Sequence, residues 1–261
     1  MDLQLKNKTA LVTGSTAGIG LEIARALAAE GADVVIAGRN QEKLDAATKD
    51  LSSAGKITPV LADAATAEGV ARLIEAVPSV DILVNNLGIY ESKDFADITD
   101  EDWFRFFETN VMSGVRLSRA YFPAMIARNW GRIIFISSES GLSTPGEMVH
   151  YGVTKTAQLA LTRGLAAATK GTGVTVNSVL PGPTRSDGIL DFLKSVSTNP
   201  NGTPAELETE FFQKLRPASL LQRMIEPQEV ANLVAYVASP LSSATNGASL
   251  RAEGGLLTTI G

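Results

Sequence analysis

The stretch that decides the fold is Lys8-Thr-Ala-Leu-Val-Thr-Gly-Ser-Thr-Ala-Gly-Ile-Gly20. It opens with a short apolar run, 8–13, which is typical of a buried strand, and the residues that follow it, 21–30, have the pattern of a helix. A strand, a glycine-rich turn and a helix N-terminus in succession present free backbone N–H groups and a helix dipole, which favour a phosphate. The spacing Gly14-x-x-x-Gly18-x-Gly20 is one residue longer than the G-x-G-x-x-G dinucleotide pattern. We interpret it as a variant of the same phosphate cradle; the alternative is three glycines that only permit a tight turn.

Downstream of this turn, strands and helices alternate along the chain. The periodicity predicts strands at 33–37, 57–61, 81–84, 132–136, 174–179 and 248–251, and helices at 41–53, 67–77, 101–128, 150–169 and 227–238. This alternation predicts an α/β fold, a doubly wound, open parallel sheet with helices on both faces, formed by one domain over 1–261.

One segment, 185–218, is less periodic than the rest of the chain. Long segments of this kind are usually lids or disordered. We interpret this one as a substrate lid, because it carries enough apolar residues for an inner face. These residues are Leu190, Phe192, Leu193, Phe211, Phe212 and Leu215.

Composition excludes several classes of function. Of the 261 residues, 44% are apolar and 20% are charged, which is a globular composition with a sizeable core. The net charge is -5 and the sequence has no Lys/Arg cluster, so nothing in the charge pattern indicates a nucleic-acid-binding surface. Cysteine is absent, which excludes thiolate chemistry, and the single histidine, His150, argues against a histidine metal site or a Ser-His-Asp triad. We expect no metal, and we expect His150 to be a packing or surface residue.

The N-terminus and the hydropathy of the chain bear on its location. The chain enters a strand almost at once, without the layout of a signal peptide, and no apolar run approaches the length of a membrane span. We therefore expect a soluble, cytoplasmic protein with no membrane partner.

The end of the second predicted strand bears on the choice of cofactor. In dinucleotide folds this position faces the adenosine ribose, where a carboxylate accepts the 2'-hydroxyl of NAD and a basic group accommodates the 2'-phosphate of NADP. Here Gly38 offers no carboxylate and Arg39 follows it. A guanidinium can bind phosphate through two hydrogen bonds, so the pair favours NADP(H), with NAD(H) as the alternative. The competing interpretation of Arg39 is an ordinary solvated arginine on a loop.

Tyr151 and Lys155 are the candidate catalytic pair. Four residues apart on a predicted helix, they project from the same face. An adjacent positive charge favours phenolate and draws the pKa of a tyrosine toward the operating range. Ser138 follows the predicted strand 132–136, and loops after strand ends are where open α/β sheets bind ligands. A Tyr-x-x-x-Lys pattern also occurs on ordinary amphipathic helices, with the tyrosine half-buried and the lysine solvated.

Taken in order, these motifs resemble the short-chain dehydrogenase/reductase family over essentially the whole chain. The matching pieces are Thr13-Gly14-x-x-x-Gly18-Ile19-Gly20, Asp63, Asn85-Asn86-x-Gly88, Asn110, Ser138, Tyr151-x-x-x-Lys155, Pro181-Gly182 and Gly254-Gly255. The resemblance implies a Rossmann-type sheet of about seven strands and a catalytic set of Asn110, Ser138, Tyr151 and Lys155. Ser138 is preferred to its neighbour Ser137 because the family's serine lies thirteen positions before the tyrosine.

The resemblance also implies a separate role for each catalytic residue. Tyr151 would exchange a proton with the substrate oxygen while a hydride passes to or from the nicotinamide. Lys155 would make Tyr151 acidic and hold the nicotinamide ribose, and Ser138 would donate to the substrate oxygen. Asn110, through its backbone and an ordered water, would link Lys155 to solvent as a proton relay. The implied cofactor contacts are Gly14, Ser15, Thr16, Gly18, Ile19, Arg39, Asp63, Asn86, Gly88, Tyr151, Lys155, Pro181, Gly182, Thr184 and Ser186.

Three functions are compatible with these residues. The first is an NADP(H)-dependent carbonyl reductase or alcohol dehydrogenase acting on a small, largely apolar substrate. The second is a reductase of 3-oxoacyl groups on an acyl carrier protein, and the third is a dinucleotide-binding sensor without turnover. Family resemblance further suggests a homotetramer, or a homodimer, packed through the helices that bear Asn110 and Tyr151.

Overall fold

A computed structural model describes residues 1–186 and 188–260. Its centre is one parallel sheet of seven strands. The strands are β1 (Thr9–Val12), β2 (Asp33–Gly38), β3 (Ile57–Leu61), β4 (Ile82–Asn85), β5 (Gly131–Ile136), β6 (Val174–Pro181) and β7 (Ser249–Ala252). The helices are α1 (Gly18–Ala29), α2 (Gln41–Leu51), α3 (Ala67–Ala76), α4 (Asp100–Phe107), α5 (Ser113–Ala127), α6 (Val149–Ala167), α7 (Ile189–Val196), α8 (Pro204–Lys214) and α9 (Pro227–Ala238). The predicted alternation of strands and helices is confirmed, with element ends that differ by a few residues.

The strand order explains where a ligand can bind. The order is β3-β2-β1-β4-β5-β6-β7, so the chain builds one half of the sheet outward from β1 and then returns to add β4 on the other side. The connection after β1 therefore leads toward one edge of the sheet, to β2, and the connection after β4 leads toward the other edge, to β5. A crevice opens at the carboxyl ends of such a pair, and ligands of open α/β sheets bind there.

The strand residues alternate between two cores, which is why both faces of the sheet must be covered. Ala10 and Val12 pack with α1, α2 and α9 on one face. Leu11 lies between them in sequence and packs with α3 and α5 on the other face. The same alternation continues in β2, β4 and β5, as expected for strands whose successive side chains point to opposite faces. This two-sided burial accounts for the near-continuous apolar runs in the sequence.

The helix predicted over 101–128 is not one regular helix. It is interrupted by a π-helical segment, Glu108–Met112, between α4 and α5. The interruption holds Asn110, which is buried. Such π segments insert one extra residue into the helical hydrogen-bond pattern and often occur at functional sites. Hydrophobic periodicity cannot reveal an insertion of this kind, so the prediction of a continuous helix was wrong at this point.

The segment 185–218 contains two helices, α7 and α8, that pack on one another, and Asp187 of this segment lies outside the described residues. A separate small apolar core holds the helices together, formed by Leu193, Leu207, Phe211, Phe212 and Met224. A bridge between Thr184 and Ile225 closes the base of the segment. Three of the six predicted inner-face residues thus belong to its buried core. Within the described residues, no helix combines the length and apolarity needed to cross a bilayer.

Candidate active site

Side-chain hydrogen bonds join the ends of β1 and β4. The Thr13 hydroxyl accepts from the backbone N–H groups of Asn86 and Leu87, each at 3.0 Å. In return, the Asn86 amide donates to the carbonyl oxygens of Thr13 at 2.9 Å and Gly14 at 3.1 Å. The amide of Asn86 therefore fixes the start of the glycine turn against the neighbouring strand, which is the structural role that amides in such turns usually have.

The glycine turn is shaped for close approach of a ligand. Gly14 and Gly18 have φ values of +61° and +54°, which side chains rarely tolerate. At Gly20, a Cβ atom would lie 2.3 Å from the carbonyl oxygen of Gly14. The turn leads directly into α1, which begins at Gly18. Among the described residues, no side chain caps the first turn of this helix, so its first backbone N–H groups can bind a ligand. This geometry fits a pyrophosphate.

A cavity of about 380 Å³ extends from this turn to the ends of β5 and β6. Its lining includes Gly18, Ile19, Asn86, Gly88, Ser138, Tyr151, Lys155, Pro181, Gly182, Thr184 and Ser186 from the predicted set. The first helix turn and the Tyr-Lys pair therefore share one continuous space. Gly88 illustrates how narrow it is, because a Cβ atom there would lie 3.4 Å from the Lys155 Nζ. A nicotinamide dinucleotide fits a groove with a phosphate cradle at one end and these polar side chains at the other.

The other predicted cofactor residues lie outside the cavity lining. The Ser15 hydroxyl is fully buried, donates to the Val12 carbonyl at 2.8 Å and accepts from the Ala37 N–H at 2.9 Å. Its side chain therefore joins β1 to β2 and is not available to a cofactor. Gly14 contributes through its backbone conformation, beside Asn86.

The end of β2 forms a second, open part of the groove. Thr16 lies against Gly38, where a Cβ atom would meet the Thr16 methyl at 2.6 Å. Arg39 is largely exposed, with 79% of its side chain accessible, and its Nη1 lies 3.8 Å from Oδ2 of Asp63. Asp63 also accepts from the backbone N–H of Ala65 at 3.0 Å. Arg39 is thus held by one loose ion pair in the described structure, and its guanidinium faces solvent beside the glycine turn.

Two hydrogen bonds fix α6 against the end of β5. The Lys155 Nζ donates to the Ile136 carbonyl at 2.9 Å, and the Ser137 hydroxyl donates to the Lys155 carbonyl, also at 2.9 Å. Ser137 is therefore engaged in positioning the helix. Its neighbour Ser138 forms a hydrogen bond with the Tyr151 hydroxyl instead. The Lys155 ammonium lies 5.5 Å from the centre of the Tyr151 ring. Ser138, Tyr151 and Lys155 are thus brought together, as the spacing predicts.

Burial dominates the electrostatics of this group. It raises the pKa of the Tyr151 phenol above its usual value, and the nearby Glu139 carboxylate adds to the rise, whereas the hydrogen bond with Ser138 opposes it. Burial also lowers the pKa of Lys155 to about 8, against the opposing effect of Glu139. The prediction that the lysine charge draws the pKa of Tyr151 downward is therefore wrong for the chain by itself, because burial dominates. The phenol is neutral at pH 7, which makes it a proton donor.

Asn110 holds the site together from the π-helical segment. Its side-chain oxygen accepts from the Ile89 N–H at 2.8 Å, and its amide donates to the Ile89 carbonyl and to the Thr154 hydroxyl, both at 3.0 Å. Its backbone carbonyl accepts from the Gln158 amide at 2.6 Å. Asn110 thus joins the loop after β4 to the helix that carries Tyr151. Its link to Lys155 through an ordered water stays a prediction.

Several cavity-lining residues were missed by sequence analysis, among them Glu139, Tyr90 and Arg216. Glu139 is 6% exposed, and its carboxylate contacts the hydroxyls of Ser138 at 2.5 Å and Ser140 at 3.1 Å. Arg216 comes from the segment after α8, is 8% exposed and donates to Glu147 at 3.0 Å. Glu139 directly follows the predicted catalytic serine in the sequence, and this position could have indicated that it lies in the site. For Arg216, which is 78 positions from Ser138 in the chain, no sequence signal existed.

His150 precedes the tyrosine but does not enter the cavity lining. Its ring is fully buried and lies 4.0 Å from the ring of Phe106 and 6.2 Å from that of Trp103, measured between centres. Burial lowers its pKa, so the imidazole is neutral near pH 7. The expectation of a packing histidine is confirmed.

Comparison with known proteins decides the family. The family model for short chain dehydrogenases matches residues 8–192. The chain belongs to the short-chain dehydrogenase family. It is 49% identical to the uncharacterized oxidoreductase YvaG of Bacillus subtilis (strain 168), and both chains are covered over their full length. It is 31% identical to the 3-oxoacyl-[acyl-carrier-protein] reductase FabG of Aquifex aeolicus, over 98% of this chain and all of that one. The structure of L-sorbose reductase from Gluconobacter frateurii, complexed with NADPH and L-sorbose, superposes with a TM-score of 0.91 at 30% identity over the whole of both chains.

Membership of the short-chain dehydrogenases makes this chain an NAD(P)-dependent oxidoreductase acting on CH–OH or C=O groups. The cavity described above, at the β1–β4 crevice, is where such a fold binds its dinucleotide. Within residues 1–186 and 188–260, no group of three or more histidine, aspartate or glutamate side chains is arranged to hold a metal ion.

Proposed function

We propose that this short-chain dehydrogenase transfers a hydride between NADP(H) and a carbonyl or secondary alcohol substrate, with Tyr151 as the general acid and base. The observation that carries the proposal is the shared cavity, in which Ser138, Tyr151 and Lys155 face the same space as the first turn of α1. Hydride transfer from a dinucleotide requires its reactive ring and a proton donor to meet at one carbon–oxygen bond.

Tyr151 donates the proton during reduction. Because burial keeps the phenol neutral at pH 7, its proton is available to the oxygen of a bound carbonyl. Ser138 lies in hydrogen-bond contact with Tyr151, so a substrate oxygen placed between the two hydroxyls is oriented by both. The nicotinamide supplies the hydride to the carbonyl carbon when the cofactor is bound.

Lys155 stabilises the charge that remains after proton transfer. The phenolate forms inside a buried site, where a nearby ammonium is worth much more than in water. Two hydrogen bonds hold the lysine in place. Its Nζ donates to the Ile136 carbonyl, and its own backbone carbonyl accepts from the Ser137 hydroxyl. Its ammonium lies next to Gly88 in the cavity, where its remaining donors would hold the hydroxyls of the nicotinamide ribose.

Arg39 supports NADP(H) as the preferred form of the cofactor. It lies at the end of β2, where the adenosine ribose binds in dinucleotide folds, and Gly38 places no carboxylate there. Its loose contact with Asp63 leaves the guanidinium free to turn toward a 2'-phosphate. Ser15 adds nothing to this choice through its side chain, because its hydroxyl is buried between β1 and β2.

The direct test is NADPH oxidation with a panel of small ketones and aldehydes. We expect turnover with several members of the panel, and weaker turnover with NADH at equal concentration. The absence of oxidation across the panel, with cofactor binding retained in a fluorescence titration, would support a dinucleotide-binding sensor instead. The presence of the complete Ser138, Tyr151 and Lys155 cluster argues against that alternative, because a sensor has no use for a buried proton donor.

Reduction of 3-oxoacyl groups on a carrier protein is the second candidate function. The similarity to FabG of Aquifex aeolicus favours it. The cover formed by α7 and α8 argues against it, since Ile189, Phe192 and Phe211 line the cavity where a long acyl arm would enter. Comparing acetoacetyl thioesters with small ketones separates the two functions, and a clear preference for the thioesters would favour the second.

We further propose a homotetramer, or a homodimer, packed through the helices that carry Asn110 and Tyr151. Apolar side chains on these helices are exposed in the single chain, with Phe104 at 74%, Val153 at 38% and Phe107 at 36%. Exposed apolar patches of this kind mark contact surfaces. Light scattering after size-exclusion chromatography measures the mass directly, and a monomer at micromolar concentration would contradict the proposal.

A further inference from the structure

Glu139 is a buried carboxylate in the cavity whose presence the proton-transfer chemistry does not explain. Tyr151 donates the proton and Lys155 stabilises the phenolate, whereas a second anion beside them raises the pKa of Tyr151. A buried carboxylate is costly unless donors surround it. A cavity-lining carboxylate that opposes part of the catalytic electrostatics therefore suggests a second task, in substrate binding.

The hydrogen bonds of Glu139 leave acceptor capacity unused. An ionised carboxylate offers about four lone-pair sites. In the part of the chain that the structure describes, its hydrogen bonds come from its two neighbours in sequence, Ser138 and Ser140. Oε2 accepts from the Ser138 hydroxyl and Oε1 from the Ser140 hydroxyl, and the Ser140 backbone N–H is a third donor. The group lines the cavity. A ligand in the cavity can therefore supply the missing donors.

The position of Glu139 fixes which part of a substrate it can reach. Its Oε2 lies 2.5 Å from the Ser138 Oγ, and Ser138 contacts the Tyr151 hydroxyl. The two hydroxyls bind the reacting oxygen in the proposed function. A group that contacts Glu139 must then lie within one or two bonds of the reacting carbon, because the carboxylate adjoins the serine that holds that oxygen.

Arg216 opposes part of the effect of burial on Glu139. Burial raises the pKa of Glu139, while the electrostatic effect of Arg216 and the hydrogen bonds of the two serines lower it. Arg216 is itself held by Glu147, at 3.0 Å, and packs over the ring of Phe211. The Arg216 guanidinium, which also lines the cavity, thus counteracts the rise in the pKa of Glu139. In either protonation state the acid keeps an oxygen that accepts hydrogen bonds.

We propose that Glu139 is a specificity-determining residue that accepts a hydrogen bond from a substrate hydroxyl on the carbon next to the reacting carbonyl. The substrate class is then the α-hydroxy ketones, and their reduced form is a vicinal diol. This inference rests on the proposed function and deepens it. It also explains why a cavity with apolar walls at Ile19, Met148 and Phe192 keeps one buried acid beside the serine.

The test uses two ketones that differ by one hydroxyl, hydroxyacetone and acetone, with NADPH as the reductant. For the unmodified enzyme we expect kcat/KM for hydroxyacetone to exceed that for acetone at least about tenfold, because a site that hydrogen-bonds a hydroxyl rejects the analogue that lacks it. In Glu139→Ala the ratio should fall toward one through loss of activity on hydroxyacetone. Glu139→Gln keeps the volume and one acceptor, and it should restore part of the ratio.

A matched control separates specificity from general damage. Glu75→Gln removes an exposed carboxylate on α3 that does not line the cavity, and it should leave the ratio unchanged. A structural role for Glu139 would lower both activities together and leave their ratio as it was. NADPH affinity and the melting temperature of each variant show whether the protein is folded.

Several outcomes would overturn the inference. If the enzyme reduces both ketones with similar kcat/KM, or if the ratio survives in folded Glu139→Ala and Glu139→Gln, Glu139 does not bind a substrate hydroxyl, although the proposed function stands. A marked preference for acetoacetyl thioesters over both ketones would also overturn it. If no carbonyl compound is reduced at all, the proposed function fails first and the inference falls with it.

Discussion

The two ends of the cofactor groove are built in opposite ways. At the catalytic end, Lys155 is 5% exposed, Ser138 is likewise buried, and both are fixed by hydrogen bonds to their neighbours. At the end of β2, Arg39 is 79% exposed in its side chain and has one ion pair of 3.8 Å. The catalytic groups are thus positioned before any ligand arrives, whereas the group proposed to select the cofactor is held by a single weak contact.

The fold thus places proton transfer and cofactor recognition in two parts of the groove that differ in rigidity. Proton transfer requires groups placed to within a fraction of an ångström, so it uses the buried ends of β5 and α6. Binding a doubly charged phosphate tolerates a mobile partner, because charge-assisted hydrogen bonds can form after the phosphate arrives. Substitutions at the two ends should therefore affect different kinetic constants.

Replacing Lys155 should produce the largest effect. In Lys155→Met the phenolate formed at Tyr151 loses its ammonium in a buried site, and we expect kcat for ketone reduction to fall by about a thousandfold. Lys170→Met, on the exposed loop after α6, is the matched control and should keep full activity. Steady-state kinetics at pH 7 measures both. A fall of less than tenfold in Lys155→Met would mean that the catalytic end does not depend on this charge.

Replacing Arg39 should alter cofactor choice and leave the chemistry intact. In Arg39→Ala we expect KM for NADPH to rise by about ten- to a hundredfold, because charge-assisted hydrogen bonds to the 2'-phosphate are lost. The KM for NADH and kcat at saturating NADPH should change little. Arg72→Ala, an exposed arginine on α3, serves as control. If KM for both cofactors stays the same in Arg39→Ala, Arg39 is an ordinary surface residue.

The dependence of reduction on pH should report the catalytic end alone. Burial lowers the pKa of Lys155 to about 8, so the ammonium is present below that pH and is lost above it. Since the pH profile of kcat/KM reports groups of the free enzyme, kcat/KM for the ketone should be level from pH 6 to about 8 and then fall, by about tenfold per pH unit. A profile that stays level to pH 10 would show that the charge state of Lys155 does not limit reduction.

Much of the fold follows from the sequence because both sheet faces are buried. Ala10, Leu11 and Val12 alternate between two cores, so the whole strand is apolar and easily recognised. The glycine turn is equally readable, since positions such as Gly20 have no room for a side chain. The π-helical segment at Asn110 could not be predicted from the sequence, because one inserted residue barely disturbs helical periodicity.

The candidate site was predictable only where the chain itself sets the spacing. Ser138, Tyr151 and Lys155 come together because a strand end and one helix turn determine their distances. The roles of Ser15 and Arg216 depend on tertiary contacts that sequence does not encode locally. The Ser15 hydroxyl lies between β1 and β2, and Arg216 reaches the cavity from a distant segment.

The smallest expected effect concerns the hydrogen bonds that join β1 to β4. Thr13→Val leaves the backbone N–H groups of Asn86 and Leu87 without their acceptor in a buried region, which should lower the free energy of unfolding by about 2 kcal/mol. Thr58→Val makes the same change at an exposed position of β3 and should be nearly neutral. Denaturant titration compares the two. Equal stability of both variants would show that this contact is not needed to fix the crevice.

The central claim is that the Tyr151 hydroxyl supplies the proton, and Tyr151→Phe tests it most directly. The substitution removes one oxygen from a half-buried side chain and leaves the glycine turn, Arg39 and Lys155 in place. We measure kcat for ketone reduction together with NADPH affinity. We predict a loss of kcat of at least about a hundredfold, with the dissociation constant for NADPH changed less than about threefold. Retention of a third or more of the original kcat in the folded variant would contradict it.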